Sequence, residues 1–114
     1  MGTLHGLHAL DRFLAKVDRD DLGPGGDCWH WTGAVQSRGY GVFTVKRSQR
    51  HPADPELLGC WLAHRFALRW IAGEELDPEL TVDHLCENKL CVNPAHLEQV
   101  TREENGRRAH YRIA

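Results

Sequence analysis

The sequence predicts a small single α+β domain made of helices and a β-hairpin. Three observations predict it: two stretches of apolar residues at helical spacing, one stretch of alternating β-branched and aromatic residues, and turn residues at the boundaries. In residues 7–17, Leu7, Leu10, Leu14 and Val17 share a helical face, which predicts an amphipathic opening helix. Residues 18–27 are polar and hold Gly23-Pro24-Gly25-Gly26, a loop. Residues 28–35 and 39–45 alternate around the turn Gln36-Ser37-Arg38-Gly39, which predicts a hairpin. Residues 48–55 form a second polar loop. In residues 57–72, Leu57, Trp61, Leu68 and Ile71 lie on one side, predicting a helix that ends at Gly73. An acidic loop at 74–79 precedes a short strand at 80–83. Thr101-Arg102-Glu103-Glu104 has the form of a capping box, so a last helix starts at Arg102.

A chain of 114 residues is the size of one domain. Such a domain is stable by roughly 5–15 kcal/mol, so a staple matters. A hydrophobic fraction of 41% excludes an intrinsically disordered chain. No apolar run is long enough to span a bilayer, so no membrane partner is expected. Residues 1–13 lack a basic start followed by an apolar stretch, so no signal peptide is expected and a cytoplasmic, intracellular setting follows. The net charge of −2 weighs mildly against a nucleic-acid partner. The charge is uneven, however. Acids gather at Asp18, Asp20, Asp21 and Asp27 and at 74–79. Bases gather at Lys46, Arg47 and Arg50, at Arg65 and Arg69, and at Arg102, Arg107, Arg108 and Arg112. A local basic face can still follow phosphates.

The four cysteines are Cys28, Cys60, Cys86 and Cys91. A reducing setting disfavours disulfides and makes metal ligation their leading use. Cys86, Cys91 and His96 recur at intervals of five, and two thiolates with an imidazole can converge on a tetrahedral zinc. The fourth ligand is Cys28 or Cys60. Cys28 is favoured because it begins a strand beside a Gly-rich loop. Cys60 lies in an apolar segment next to Trp61, where a buried free thiol is ordinary. The plain alternative is that all four are core residues. Glu87, Asn88, Lys89 and Pro94 speak against it, because they make this stretch a polar loop with little but a metal to hold it.

His84 does not fit the zinc spacing. It follows Asp83 at the end of an apolar strand, and Asn105 lies near the start of the capped helix. Asn93 precedes a proline, where an amide can cap a turn and hold a loop. A fold bringing His84 opposite Asn105 would set a base beside an oxygen ligand. Phosphodiester hydrolysis needs both: a group that titrates near neutrality to take the proton of water, and a hard cation for the crowded phosphate. Taken singly, His84 reads as a strand-end histidine and Asn105 as an exposed helix residue. Their attachment to one pinned loop favours the joint reading. Arg65 is a candidate phosphate clamp or a plain surface arginine. Arg107 and Arg108 are candidate DNA-backbone contacts or helix-end charges favoured by the dipole. Tyr40, Trp29 and Trp31 are expected in the core rather than stacked on bases.

Asp83-His84-Leu85-Cys86, Cys91-Val92-Asn93-Pro94-Ala95-His96-Leu97 and Glu104-Asn105 through Arg108 together resemble the HNH endonucleases of the His-Me finger (ββα-metal) group. The likeness is greatest to phage and mobile-element members and to His-Cys box homing endonucleases. Cys28-Trp29, Trp31-Thr32-Gly33, Gly39-Tyr40-Gly41 and His64-Arg65 extend it, so that it covers about residues 11–108. The resemblance implies a single nuclease domain over 1–114, with a zinc-stapled ββα-metal core motif at 80–109. It implies His84 as general base, Asn105 as ligand of a catalytic Mg²⁺ (or Mn²⁺), Asp83 as a second ligand, and Asn93 as loop brace. It implies Cys28, Cys86, Cys91 and His96 as a structural zinc set. No cysteine follows Cys91, so the second zinc site of His-Cys box enzymes is lacking, which leaves their dimer mode open here. The expected function is a metal-dependent DNA endonuclease, monomeric or homodimeric. The alternatives are a non-catalytic zinc-stabilised DNA-binding module, or hydrolysis at the zinc itself. The latter is weakened because four protein ligands leave no open position for water.

Overall fold

Four aromatic rings anchor the chain. Phe13 stacks on Phe66 at 4.6 Å between centroids, meets Trp31 at 4.7 Å, and meets Phe43 edge-on at 5.3 Å. All four are buried, with Ala9, Val45, Ala63, Ala67 and Val92 around them. The computed structural model describes residues 5–19, 27–46 and 58–113, with side chains from Ala9 to Arg108 in those segments. The loops expected at 18–27 and 48–55 lie largely or wholly outside the described residues, as do Arg47, Arg50 and Leu57.

The chain runs α1 (His5–Leu14), β1 (Val17–Asp18), β2 (His30–Trp31), β3 (Val42–Val45), β4 (Gly59–Leu62), α2 (Ala63–Phe66), β5 (Thr81–His84), β6 (Leu97–Val100) and α3 (Arg102–Ile113). A π-helical turn, Ala67–Ile71, prolongs α2, and a 3-10 turn, Pro94–His96, leads into β6. The strands pair antiparallel as β1–β2, β3–β4 and β5–β6. This is a small α+β domain, as the sequence predicts. Its second, smaller core joins Leu68, Val82 and Leu97 and seats the β5–β6 pair against the π-helical turn.

Three boundaries differ from expectation. The opening helix stops at Leu14 rather than running to Val17. The Lys16 amide closes the last turn on the Phe13 carbonyl, and Val17 then pairs with Trp31 in a sheet. Val17 kept helical spacing by coincidence; its branched side chain suits the strand. The hairpin of 28–35 with 39–45 shrinks to its tip, where the Val42 amide donates to Ala34. The Gln36 amide donates to Tyr40 and the Gly39 amide to Gln36, with a single bridge at Val35 and Gly41. β3 instead takes β4 as its partner. The helix expected over 57–72 starts only at Ala63, because residues 59–62 pair with β3. Gly59, at φ +98°, holds a conformation no α-helix contains. β6 was not foreseen: four residues carry too little pattern, and only their pairing with β5 makes them a strand.

The last helix starts at Arg102 as expected. The Glu104 amide donates to Thr101 Oγ1 at 3.0 Å, while the Glu104 carboxylate turns forward to Arg107 and Arg108. The acidic loop is pinned by a residue the sequence did not single out. Gln99 on β6 donates to Glu74 and to the Glu75 carbonyl, and accepts from the Asp77 amide.

Gly33 and Gly41 lie against Trp31, and a Cβ at either position would overlap the indole ring. Gly41→Ala should therefore destabilise the protein by about 1–3 kcal/mol through overpacking. A urea unfolding midpoint equal to that of the wild type would refute this close contact.

Candidate functional site

The first cluster is built from two distant parts of the chain. Cys28, Cys86, Cys91 and His96 bring their ligand atoms within 4.8 Å of one another. His96 Nδ1 lies 3.7 Å from Cys28 Sγ and 3.5 Å from Cys91 Sγ. Zinc bond lengths of about 2.0–2.3 Å imply ligand–ligand edges of roughly 3.5–3.8 Å in a tetrahedron, so this donor set fits a tetrahedral metal of that kind. Cys60 is not in the cluster; it lies exposed on β4, opposite Thr44.

Backbone bonds hold the two parts together. The Trp31 amide donates to Leu90, the Val92 amide donates to Trp29, and His30 bridges to Cys91. Asn93 adds a side-chain strut. Its Nδ2 donates to the Asp27 carbonyl at 2.6 Å, and its Oδ1 accepts from the Ala95 amide at 3.0 Å. One buried amide thus caps the 3-10 turn and ties it to the residue before Cys28. Burial pushes the Cys91 thiol up to about 12, and burial, with Cys86 beside it, raises the Cys28 thiol too. A bound divalent cation reverses that preference by stabilising the thiolates.

The second cluster lies on the strand that leads into this loop. Asp83 is 3% exposed and His84 is 6% exposed, side by side at the end of β5. Successive strand residues face opposite sides. His84 faces α2: its ring lies 4.5 Å from that of His64 and 5.9 Å from that of Tyr40. Asp83 faces α3, where Arg108 donates to its Oδ2 at 3.0 Å. Asn105 precedes Arg108 by three residues, so both lie on one side of α3. Asn105 is half-buried there. Arg65 follows His64 on α2 and is half-buried.

The two basic residues of α3 sit differently. Arg107 is 62% exposed and pairs with Glu104 at 2.8 Å. Arg108 is 29% exposed and reaches Glu98, Asp83 and Glu104 at 2.7, 3.0 and 3.0 Å. Those three acceptors, Glu98 foremost, raise its already high pKa further.

Residues 62–107 match the profile of the HNH endonuclease family. They are an HNH-type endonuclease domain. The chain is also similar to Protein 2.8 of Escherichia phage T7, with 33% identity over 78 residues. That alignment covers 68% of this chain and 45% of the phage protein, so the chain spans less than half the length of this relative. No solved structure matches it. The Cys/His cluster and the β5–β6–α3 unit are the parts of a ββα-metal core, with a donor set consistent with a structural zinc site. Among the described residues, no helix is long and apolar enough to cross a membrane.

His64 and Tyr40 acquire a place that pattern alone did not assign. Tyr40 was expected in the core, yet its ring is half-buried beside both histidines, with Lys89 Nζ 5.3 Å over it. His64 is 4% exposed, and its Nδ1 has no hydrogen-bond partner among the described residues. The available signal was His64-Arg65 in a segment of helical apolar spacing. It could not show which way His64 pointed.

Burial, then the charges of His84 and Arg65, lower the His64 pKa from 6.5 to about 3. Between those values the unfolded chain binds the proton and the native chain does not. This contribution to stability is therefore complete above 6.5 and is lost as pH falls toward 3. His64→Phe should flatten the decline in urea midpoint between pH 7.5 and pH 5. An identical decline in both proteins would rule out a buried neutral imidazole.

Proposed function

We propose that this chain is a metal-dependent DNA endonuclease, with residues 1–114 acting as one nuclease domain. The observation that carries the reading is the join at His84. The buried pair Asp83-His84 ends β5, the loop that follows holds a four-donor cluster, and α3, which carries Asn105, is tied to that strand through Arg108.

In this reading His84 is the general base. It takes a proton from the water that attacks the phosphorus, a role worth about 10²–10⁴ in rate. The ring contacts with His64 and Tyr40 restrict its orientation. Asp83 and Asn105 offer a carboxylate and an amide oxygen, the hard donors that suit Mg²⁺ or Mn²⁺. Such an ion, when bound, neutralises charge on the scissile phosphate and the departing oxygen. Arg65 would contact a phosphate oxygen, and Arg107, exposed on α3, would meet the DNA backbone. Arg108 was expected beside Arg107 at the DNA, but its guanidinium is engaged by three carboxylates. Cys28, Cys86, Cys91 and His96 would hold a structural Zn²⁺. Four protein ligands close its shell, which supports a scaffold role rather than hydrolysis at the zinc. Asn93 braces that scaffold.

Supercoiled plasmid incubated with the full chain should be nicked or cut with Mg²⁺ and left intact with EDTA. His84→Ala should lose the activity while keeping about one zinc per chain, the number one four-ligand site holds. Equal cleavage by His84→Ala would remove His84 as the base. DNA binding without cleavage under any divalent ion would leave a zinc-stabilised binding module instead. Cys86→Ala should lose its zinc and much of its thermal stability. A folded, zinc-free variant of normal stability would count against the staple.

A further inference from the structure

We propose that Arg108 is a positioning residue for the metal seat and not a DNA contact. The inference rests on the reading of Asp83 and Asn105 as ligands of the divalent ion. Asp83 and Glu98 stand directly opposite each other across β5 and β6. Like charges so placed repel and would splay the strand pair. A single Arg108 nitrogen, NH1, donates to both, at 3.0 Å to Asp83 Oδ2 and 2.7 Å to Glu98 Oε1. The Nε of the same guanidinium donates to Glu104 at 3.0 Å, one turn back on α3.

This arrangement has three consequences. The bond to Oδ2 sets the plane of the Asp83 carboxylate and hence the direction of its other oxygen. The planar fork resists rotation, because its donors are directed to three elements at once. Asn105 follows Glu104 on α3, so the bonds that bind this helix to β5 and β6 also fix the height of Asn105 relative to Asp83. Partners of metal ligands typically contribute 10–100-fold to metal affinity by such orientation. A cation beside a metal seat also repels the incoming ion. Here Glu98 and Glu104 offset the arginine charge, leaving the cluster acidic, so loss of orientation outweighs relief of repulsion.

The test measures Mn²⁺ binding to the zinc-loaded full chain by electron paramagnetic resonance. Duplex DNA affinity is measured without divalent ions at two salt concentrations. Arg108→Ala should weaken Mn²⁺ about 10-fold or more and leave duplex affinity and its salt dependence near those of the wild type. Arg107→Ala should do the reverse, keeping Mn²⁺ affinity and lowering the salt slope by about one. Arg108→Lys keeps the charge but not the fork, so it too should bind Mn²⁺ more weakly; it decides the matter if the alanine variant fails to fold. Unchanged or tighter Mn²⁺ binding in Arg108→Ala or Arg108→Lys would overturn the proposal, as would loss of duplex affinity with Mn²⁺ binding intact. Asp83→Ala separates the two levels. If it still binds Mn²⁺ normally, the ligand reading and this proposal fall together. If it loses Mn²⁺ while the Arg108 variants do not, only the positioning role falls.

Discussion

The convergence of Cys28 on Cys86, Cys91 and His96 is the constraint from which the rest of this site follows. The cluster joins the strand region before Trp31 to the loop after β5, beside backbone bonds and the Asn93 strut. Without a cation the donors are uncomfortable, since burial opposes the charged form of Cys91 and Cys28. A divalent ion turns that penalty into attraction, so folding of the loop and occupancy of the cluster are linked. Asn93 makes the join stiff rather than merely close. Its amide serves the Asp27 carbonyl on one side and the turn before β6 on the other.

A second support comes from the aromatic core. Phe13 locks Trp31, Phe43 and Phe66 together, and Phe66 belongs to the same short helix as His64. Packing in the N-terminal half therefore decides where the His64 ring stands, and so what one side of β5 meets. The two neighbours on that strand receive different surroundings. His84 is enclosed by rings from α2 and the 36–41 turn, which restrict the imidazole. Asp83 is met by a guanidinium from α3. One β-strand alternation thus separates the proposed proton acceptor from the proposed ion ligand.

The net charge of −2 would discourage a nucleic-acid reading if charge acted only in total. It acts locally. Several acids are occupied internally: Glu98 and Glu104 by Arg108, and Glu74 by Gln99. Arg107 and Lys89 remain largely exposed. A mildly acidic chain can still present exposed cations locally.

The sequence by itself determined the chemistry of the loop and the α+β class. Cysteine spacing, the Asn93-Pro94 brake and the capped start of α3 are local features, legible because each depends on residues a few positions apart. The HNH assignment has the same origin, since its motif is nearly contiguous. What only tertiary structure decided were the pairings across distance. Residues 59–62 kept a helical pattern and became a strand because β3 needed a partner. Cys28 rather than Cys60 entered the cluster because Cys60 sits on the exposed side of that strand. Tyr40 and His64 came to flank His84, and Arg108 turned from the solvent to Asp83 and Glu98. No spacing rule encodes these outcomes. They depend on which faces meet when separate segments bury their apolar surface together, and that is a property of the assembled core.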